Sequence, residues 1–188
     1  LEANMKFIKD HYMPVPLLLA GLWIAITAFL LPPGEGAQVS AAARQGFKAP
    51  DFELQTLAGD SVRLSDLEGR AVLLNFWASW CAPCQAEMPA FQEVHESYSE
   101  DDFIILAVNM TGQDNLSDVN QFVDAHGLTF TILLDELNQV GRLYAVRALP
   151  STYFISRDGT ITEVVVGGPL PEALLHARVA DLLKGEVR

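Results

Sequence analysis

Apolar residues along this chain fall into two regimes. From Val15 to Leu31 they run almost unbroken, and no charged residue occurs between Tyr12 and Gly34. Beyond Phe47 they come in short bursts divided by Gly, Pro, Asn and Asp, as strands and helices of a folded domain do. As a helix the first stretch would cover about 25 Å, or about 30 Å from Pro14 to Pro33, which is long enough to cross a bilayer. Lys6 and Lys9 precede it and Pro32-Pro33-Gly34 closes it, so the expected arrangement is a short cytoplasmic segment (1–13), a transmembrane anchor (14–33), a small-residue linker (34–46) and a globular domain (47–188) facing outward. A cleavable signal peptide competes with the anchor, because Val39-Ser40-Ala41 and Ala41-Ala42-Ala43 offer small residues at a cleavage site. Either way the domain is exported.

Within the domain, Phe52–Leu54 and Val62–Leu64 alternate around Ala58-Gly59-Asp60, which predicts a hairpin. Ala71–Trp77 is uniformly apolar apart from Asn75, the pattern of a central strand buried on both faces. A helix is expected from Ala82 to Ser99, bent at Pro89, then a strand over Phe103–Val108 and a helix from Leu116 to Ala125 stopping at Gly127. A strand over Phe130–Leu134 and a helix over Glu136–Val146 come next. Thr152–Ile155 and Ile161–Val166 flank Arg157-Asp158-Gly159 as a second hairpin, and an amphipathic helix opened by Pro171 carries Leu174, Leu175, Val179, Leu182 and Leu183. Strands alternating with helices, then a hairpin and a helix, predict an α/β domain with a mixed central sheet flanked by helices.

Composition narrows the chemistry. A net charge of −12 leaves no clustered cations for a nucleic acid, and Glu100-Asp101-Asp102 reads as a solvated loop. The only two cysteines, Cys81 and Cys84, are three positions apart, so a bond between them would close too short a loop to serve as a staple. A zinc site would need two further ligands, and His11, His95, His126 and His176 are scattered. No metal or cofactor is expected. Placed where a buried strand meets a helix, Cys81 would face unpaired N–H groups and the positive end of the helix dipole, which favour a reactive thiolate; Cys84 would resolve the mixed disulfide. Cys84, Glu87, Phe91, Val94 and Tyr98 share one helical stripe, which would bury Glu87, raise its pKa and suit it to accept a proton from Cys84. A bend at Pro89 would instead turn Glu87 to solvent.

The run Phe76-Trp77-Ala78-Ser79-Trp80-Cys81-Ala82-Pro83-Cys84 resembles the active site of the thioredoxin-like superfamily. With Glu87, Pro89, the opening Ala49-Pro50-Asp51-Phe52 and Leu149-Pro150-Ser151-Thr152, the chain is similar to the TlpA/ResA-type membrane-anchored thiol–disulfide oxidoreductases from about Phe47 to Lys184. This resemblance implies a thioredoxin-like fold with an N-terminal β-hairpin and a strand–helix insertion over Phe130–Val146. It implies that Pro150 is a cis-proline beside the disulfide, that Trp80, Pro83, Leu149 and Pro150 receive substrate, and that Glu87 tunes the cysteine pair, with Asn75 standing where thioredoxins carry an Asp. The implied activity is reduction of exported disulfide-containing proteins, such as apocytochrome c haem-site cysteines, copper-centre assembly proteins or cell-wall enzymes. A membrane thiol transporter would supply the electrons, and the protein would be a monomer. Two rivals remain: a thiol peroxidase, since Ala-Pro-Asp-Phe also resembles peroxiredoxins although their Pro-x-x-x-Thr-x-x-Cys run is absent, and a copper chaperone using both cysteines and His176.

Overall fold

The computed structural model describes residues 43–98 and 102–185. The segment 1–13, the expected anchor 14–33 and most of the linker lie outside those residues; among the described residues no helix is long and apolar enough to cross a membrane. Ala43 is already packed in the core, and the Gly46 N–H donates to the Ile161 carbonyl at 2.8 Å.

Seven strands form one mixed sheet: β1 (Glu53–Thr56), β2 (Ser61–Arg63), β3 (Ala71–Trp77), β4 (Phe103–Asn109), β5 (Thr131–Leu134), β6 (Ser151–Ile155) and β7 (Ile161–Val166), in the order β2-β1-β5-β4-β3-β6-β7. Strands β3, β4 and β5 are parallel, and both expected hairpins are present as antiparallel pairs. The β1–β2 hairpin is joined to the sheet through β5, with Gln55 opposite Leu134. Strand β3 is buried along its whole length, and its period of two sorts side chains between two cores. Ala71, Leu73 and Trp77 face the layer of helices α1 (Ala82–Tyr98), α2 (Leu116–His126) and α4 (Glu172–Lys184); Val72, Leu74 and Phe76 face the layer containing the short α3 (Gln139–Leu143). The same alternation turns Asn75 toward α1.

Two expectations need correction. The helix over Glu136–Val146 shrinks to the five residues of α3, because Asp135 turns the chain first. Its carboxylate accepts from the Gln139 and Gly141 N–H groups, both at 2.8 Å, while Asn138 at φ 51° and Ala145 at φ 54° bound the helix in left-handed conformations. In α4 the buried stripe is Leu175, Val179 and Leu182, with Leu183 packed against it as expected; Leu174 lies one step round the helix and is 37% exposed. Pro89 stays inside a continuous α1, and Met88 joins Cys84, Glu87, Phe91 and Val94 on its buried face.

Candidate active site

Where β3 ends, the loop Ala78–Trp80 delivers Cys81 to the entrance of α1. The Cys81 carbonyl accepts the first helical bond, from Gln85 N–H at 3.0 Å, so Cys81 occupies the N-cap. Its sulfur lies 3.4 Å from the Cys84 N–H, taking the place that a Ser or Asp oxygen usually fills at an N-cap. The two sulfurs are joined at 2.09 Å with their Cα atoms 5.2 Å apart. Cys84 is sealed at 0% exposure and Cys81 retains 5%, so the pair is asymmetric in access. That small opening is narrower than a helix entrance alone suggests.

The loop before Cys81 is pinned by a residue to which the sequence drew no attention. Asp114 accepts from Ser79 N–H and Ser79 Oγ, each at 2.6 Å, and from Asn109 Nδ2 and Asn115 N–H, each at 2.8 Å. Burial pushes this carboxyl upward, but the Asn109, Ser79 and Asn115 donors outweigh it and hold the pKa below the usual carboxylate range. The Gln85 side chain holds the Ser79 carbonyl, and Trp80 Nε1 donates to the Gln113 carbonyl at 3.0 Å. The available sequence signal was an Asp directly before the N-cap Asn115, which by itself reads as ordinary capping.

Inside α1, Glu87 is 1% exposed, as the helical stripe requires. One carboxylate oxygen accepts from Asn75 Nδ2 at 3.0 Å and the other from Leu170 N–H at 3.2 Å. Burial raises its pKa to about 7 against these two donors. Asn75 also donates to Thr152 Oγ1 at 3.0 Å, so α1, β3 and β6 meet at one amide. Gly168 completes the enclosure: a Cβ there would fall 2.7 Å from Glu87 Oε2 and 2.7 Å from Pro150 Cγ, so only a glycine lets this segment lie against both.

Trp80, Cys81, Pro83 and Leu149 share a groove of about 410 Å³, bounded also by Met110 and Arg147. Trp80 is 60% exposed beside it. The Leu149–Pro150 peptide is cis, and the Pro150 carbonyl accepts from Gly167 N–H at 2.8 Å. His176 packs against Tyr98, whose place at the far end of α1 is about 21 Å along the helix from Cys84. The cysteines and this histidine therefore do not converge. Among the described residues no group of three or more His, Cys, Asp or Glu side chains could hold a metal ion.

A buried strand running into a Cys-x-x-Cys disulfide at a helix entrance, in a mixed sheet covered by helices, is the layout of a thioredoxin-like thiol–disulfide oxidoreductase. Comparison with known proteins agrees. The chain belongs to the AhpC/TSA family, whose profile matches residues 45–164. It is 44% identical over 128 residues to the thiol-disulfide oxidoreductase ResA of Oceanobacillus iheyensis, an alignment spanning 66% of each chain. Among solved structures, a candidate thiol:disulfide interchange protein DsbE from Chlorobium tepidum superposes with a TM-score of 0.68 at 34% identity, over 74% of this chain and 98% of that one. A secreted Mycobacterium tuberculosis disulfide oxidoreductase gives a TM-score of 0.63 at 28% identity, over 70% of this chain and 96% of that one.

Proposed function

We propose that this oxidoreductase works outside the cytoplasmic membrane, held there by residues 14–33, as a reductant of disulfides in exported proteins. The observation that carries the reading is the Cys84 N–H directed at the Cys81 sulfur at the entrance of α1, beside an open groove. In the reduced enzyme that N–H and the helix dipole favour a thiolate on Cys81. The thiolate attacks one sulfur of the client disulfide, forming a mixed disulfide and releasing the client's other sulfur, which takes up a proton. Cys84 then gives its proton to Glu87 and attacks the Cys81 sulfur. The Cys81–Cys84 disulfide forms, the second client thiolate leaves, and two electrons have passed to the client. With a pKa of about 7, Glu87 is divided between its two forms at neutral pH, which suits it to take that proton and later return it. Trp80, Pro83 and Leu149 supply the apolar wall on which the client segment rests, and Pro150 continues that wall toward Gly168.

Apocytochrome c haem-site cysteines, copper-centre assembly proteins and cell-wall enzymes are the candidate clients, with a membrane thiol transporter restoring the dithiol. Support for an extracytoplasmic site comes from the apolar stretch and from the secreted relative of M. tuberculosis. Trapping tests the mechanism: Cys84→Ser should accumulate mixed disulfides with exported proteins and Cys81→Ser almost none, and equal trapping by the two would overturn the assignment. Membership of the AhpC/TSA family makes peroxide the substrate of a second reading. Insulin reduction measured beside hydrogen-peroxide consumption by the same reduced protein separates the two, with insulin the expected substrate.

A further inference from the structure

Arg147 stands at the edge of the groove that contains Cys81, three positions before Pro150. It is exposed, and among the described residues it makes no hydrogen bond, ion pair or ring contact. That sets it apart from most cations of the domain. Lys48, Arg63, Arg157 and Arg178 are paired with carboxylates, and Arg70 and Arg142 donate to backbone carbonyls. The other side chains bounding the groove (Trp80, Pro83, Met110, Gln113, Val146, Leu149) are uncharged, so this guanidinium is its one charged wall group. In a chain of net charge −12, this unneutralised guanidinium adds a full positive charge to a groove whose other attraction for an anion is the amino-terminal end of α1.

We propose that Arg147 is a specificity-determining residue that favours client segments carrying a carboxylate within about two residues of the attacked cysteine. The inference rests on the reductase reading above and adds a substrate class to it. A client strand lying in the groove spans about 3.3 Å per residue, so one that presents its sulfur to Cys81 brings neighbouring side chains to the Arg147 edge. The planar guanidinium matches a carboxylate in a two-point hydrogen-bonded fork, a geometry that lysine or a neutral donor does not reproduce. The pairing is solvent-exposed, so its contribution is modest and is screened by salt.

The test uses three otherwise identical disulfide-closed peptides with Glu, Gln or Lys beside the attacked cysteine. Each is offered to the pre-reduced full-length protein in non-ionic detergent, and each rate is divided by that peptide's rate with dithiothreitol to remove intrinsic reactivity. Wild type should favour the Glu peptide over the Gln peptide by about three- to fivefold in kcat/KM at low salt. Arg147→Gln should bring that ratio close to one, and Arg147→Glu should turn the preference toward the Lys peptide. Because each ratio is taken within one protein, loss of folded material in a variant cancels. An unchanged ratio in Arg147→Gln overturns the proposal. A uniform slowing of all three peptides leaves that ratio unchanged and overturns it equally. If wild type reduces insulin but none of the peptides, the specificity inference alone fails; if it reduces neither insulin nor the peptides, the reductase reading fails with it.

Discussion

Glu87 lies on the buried face of α1, three residues after Cys84, and Asp114 braces the loop that precedes Cys81. Glu87 is almost wholly enclosed and receives two hydrogen bonds; Asp114 is half-buried and receives four. Their pKa values move apart accordingly, Glu87 up to about 7 and Asp114 below its ordinary value. The side chains differ by one methylene. What separates them is the number of donors set against the loss of water. The Asp114 environment holds an anion as a fixed brace, and the Glu87 environment leaves a proton free to come and go at neutral pH.

The contrast is broken most forcefully by removing the brace. Asp114→Ala orphans donors from Ser79, Asn109 and Asn115, and should cost about 2–4 kcal/mol in urea denaturation at pH 7, with Asp114→Asn losing roughly half as much. A loss within 0.5 kcal/mol, about the scatter of surface substitutions, would show that the loop does not depend on this carboxylate.

The pH dependence of stability sharpens the contrast, since the two groups act with opposite sign. Glu87 is raised in the fold, so its contribution is complete below the unfolded value of 4.5 and is lost as pH rises through about 7. For the oxidised protein the loss should reach about 3 kcal/mol across that window and disappear in Glu87→Gln. Asp114 is depressed, so its contribution is present above 3.8 and fades as pH falls below it. Urea midpoints from pH 3 to 8 for wild type and both amide variants, compared by difference, read the two slopes separately. Parallel wild-type and Glu87→Gln curves between pH 4.5 and 7 would mean that Glu87 is reached by water.

The smallest effect is expected from Gly168→Ala. Its methyl group would fall 2.7 Å from Glu87 Oε2 and 2.7 Å from the Pro150 ring, so the segment must draw back by more than half an ångström to reach ordinary contact, which should cost about 1–2 kcal/mol. Retreat also admits water to the carboxylate. Its midpoint, followed by carbon NMR, should drop from about 7 toward the ordinary glutamate range, and an unmoved midpoint would remove Gly168 from the enclosure.

Much of this architecture was legible beforehand, for reasons that differ from element to element. β3 and α1 announced themselves because burial on both faces and a buried stripe each leave a local, periodic trace in the chain. Glu87 was found as the discordant member of that stripe. Asp114 was not, since its partners come from the β3–α1 loop, β4 and the start of α2, and no spacing along the sequence joins Ser79, Asn109 and Asn115. Arg147 escaped for a related reason: an exposed arginine near a loop has no pattern until the groove is assembled around it. The helix expected over Glu136–Val146 shows the reverse failure, where helical residues yielded to the turn set by Asp135 and Asn138.

The bonds that seat Glu87 also carry a consequence for how the chain acquires its chemistry during folding. Asn75 is 12 residues from Glu87 in sequence, but Thr152 lies 77 residues from Asn75, and Leu170 lies 83 residues from Glu87. Ring closures of that length come late, because the entropy of bringing distant segments together must be met before the contacts reward it. The cysteines, three residues apart, can find each other as soon as the first turn of α1 forms. Oxidation of the pair can thus precede enclosure of Glu87. A nascent chain still short of Leu170 would hold a disulfide and no closed seat for Glu87, so the C-terminal segment acts as the last component fitted and the earliest lost when the domain begins to unfold from that end.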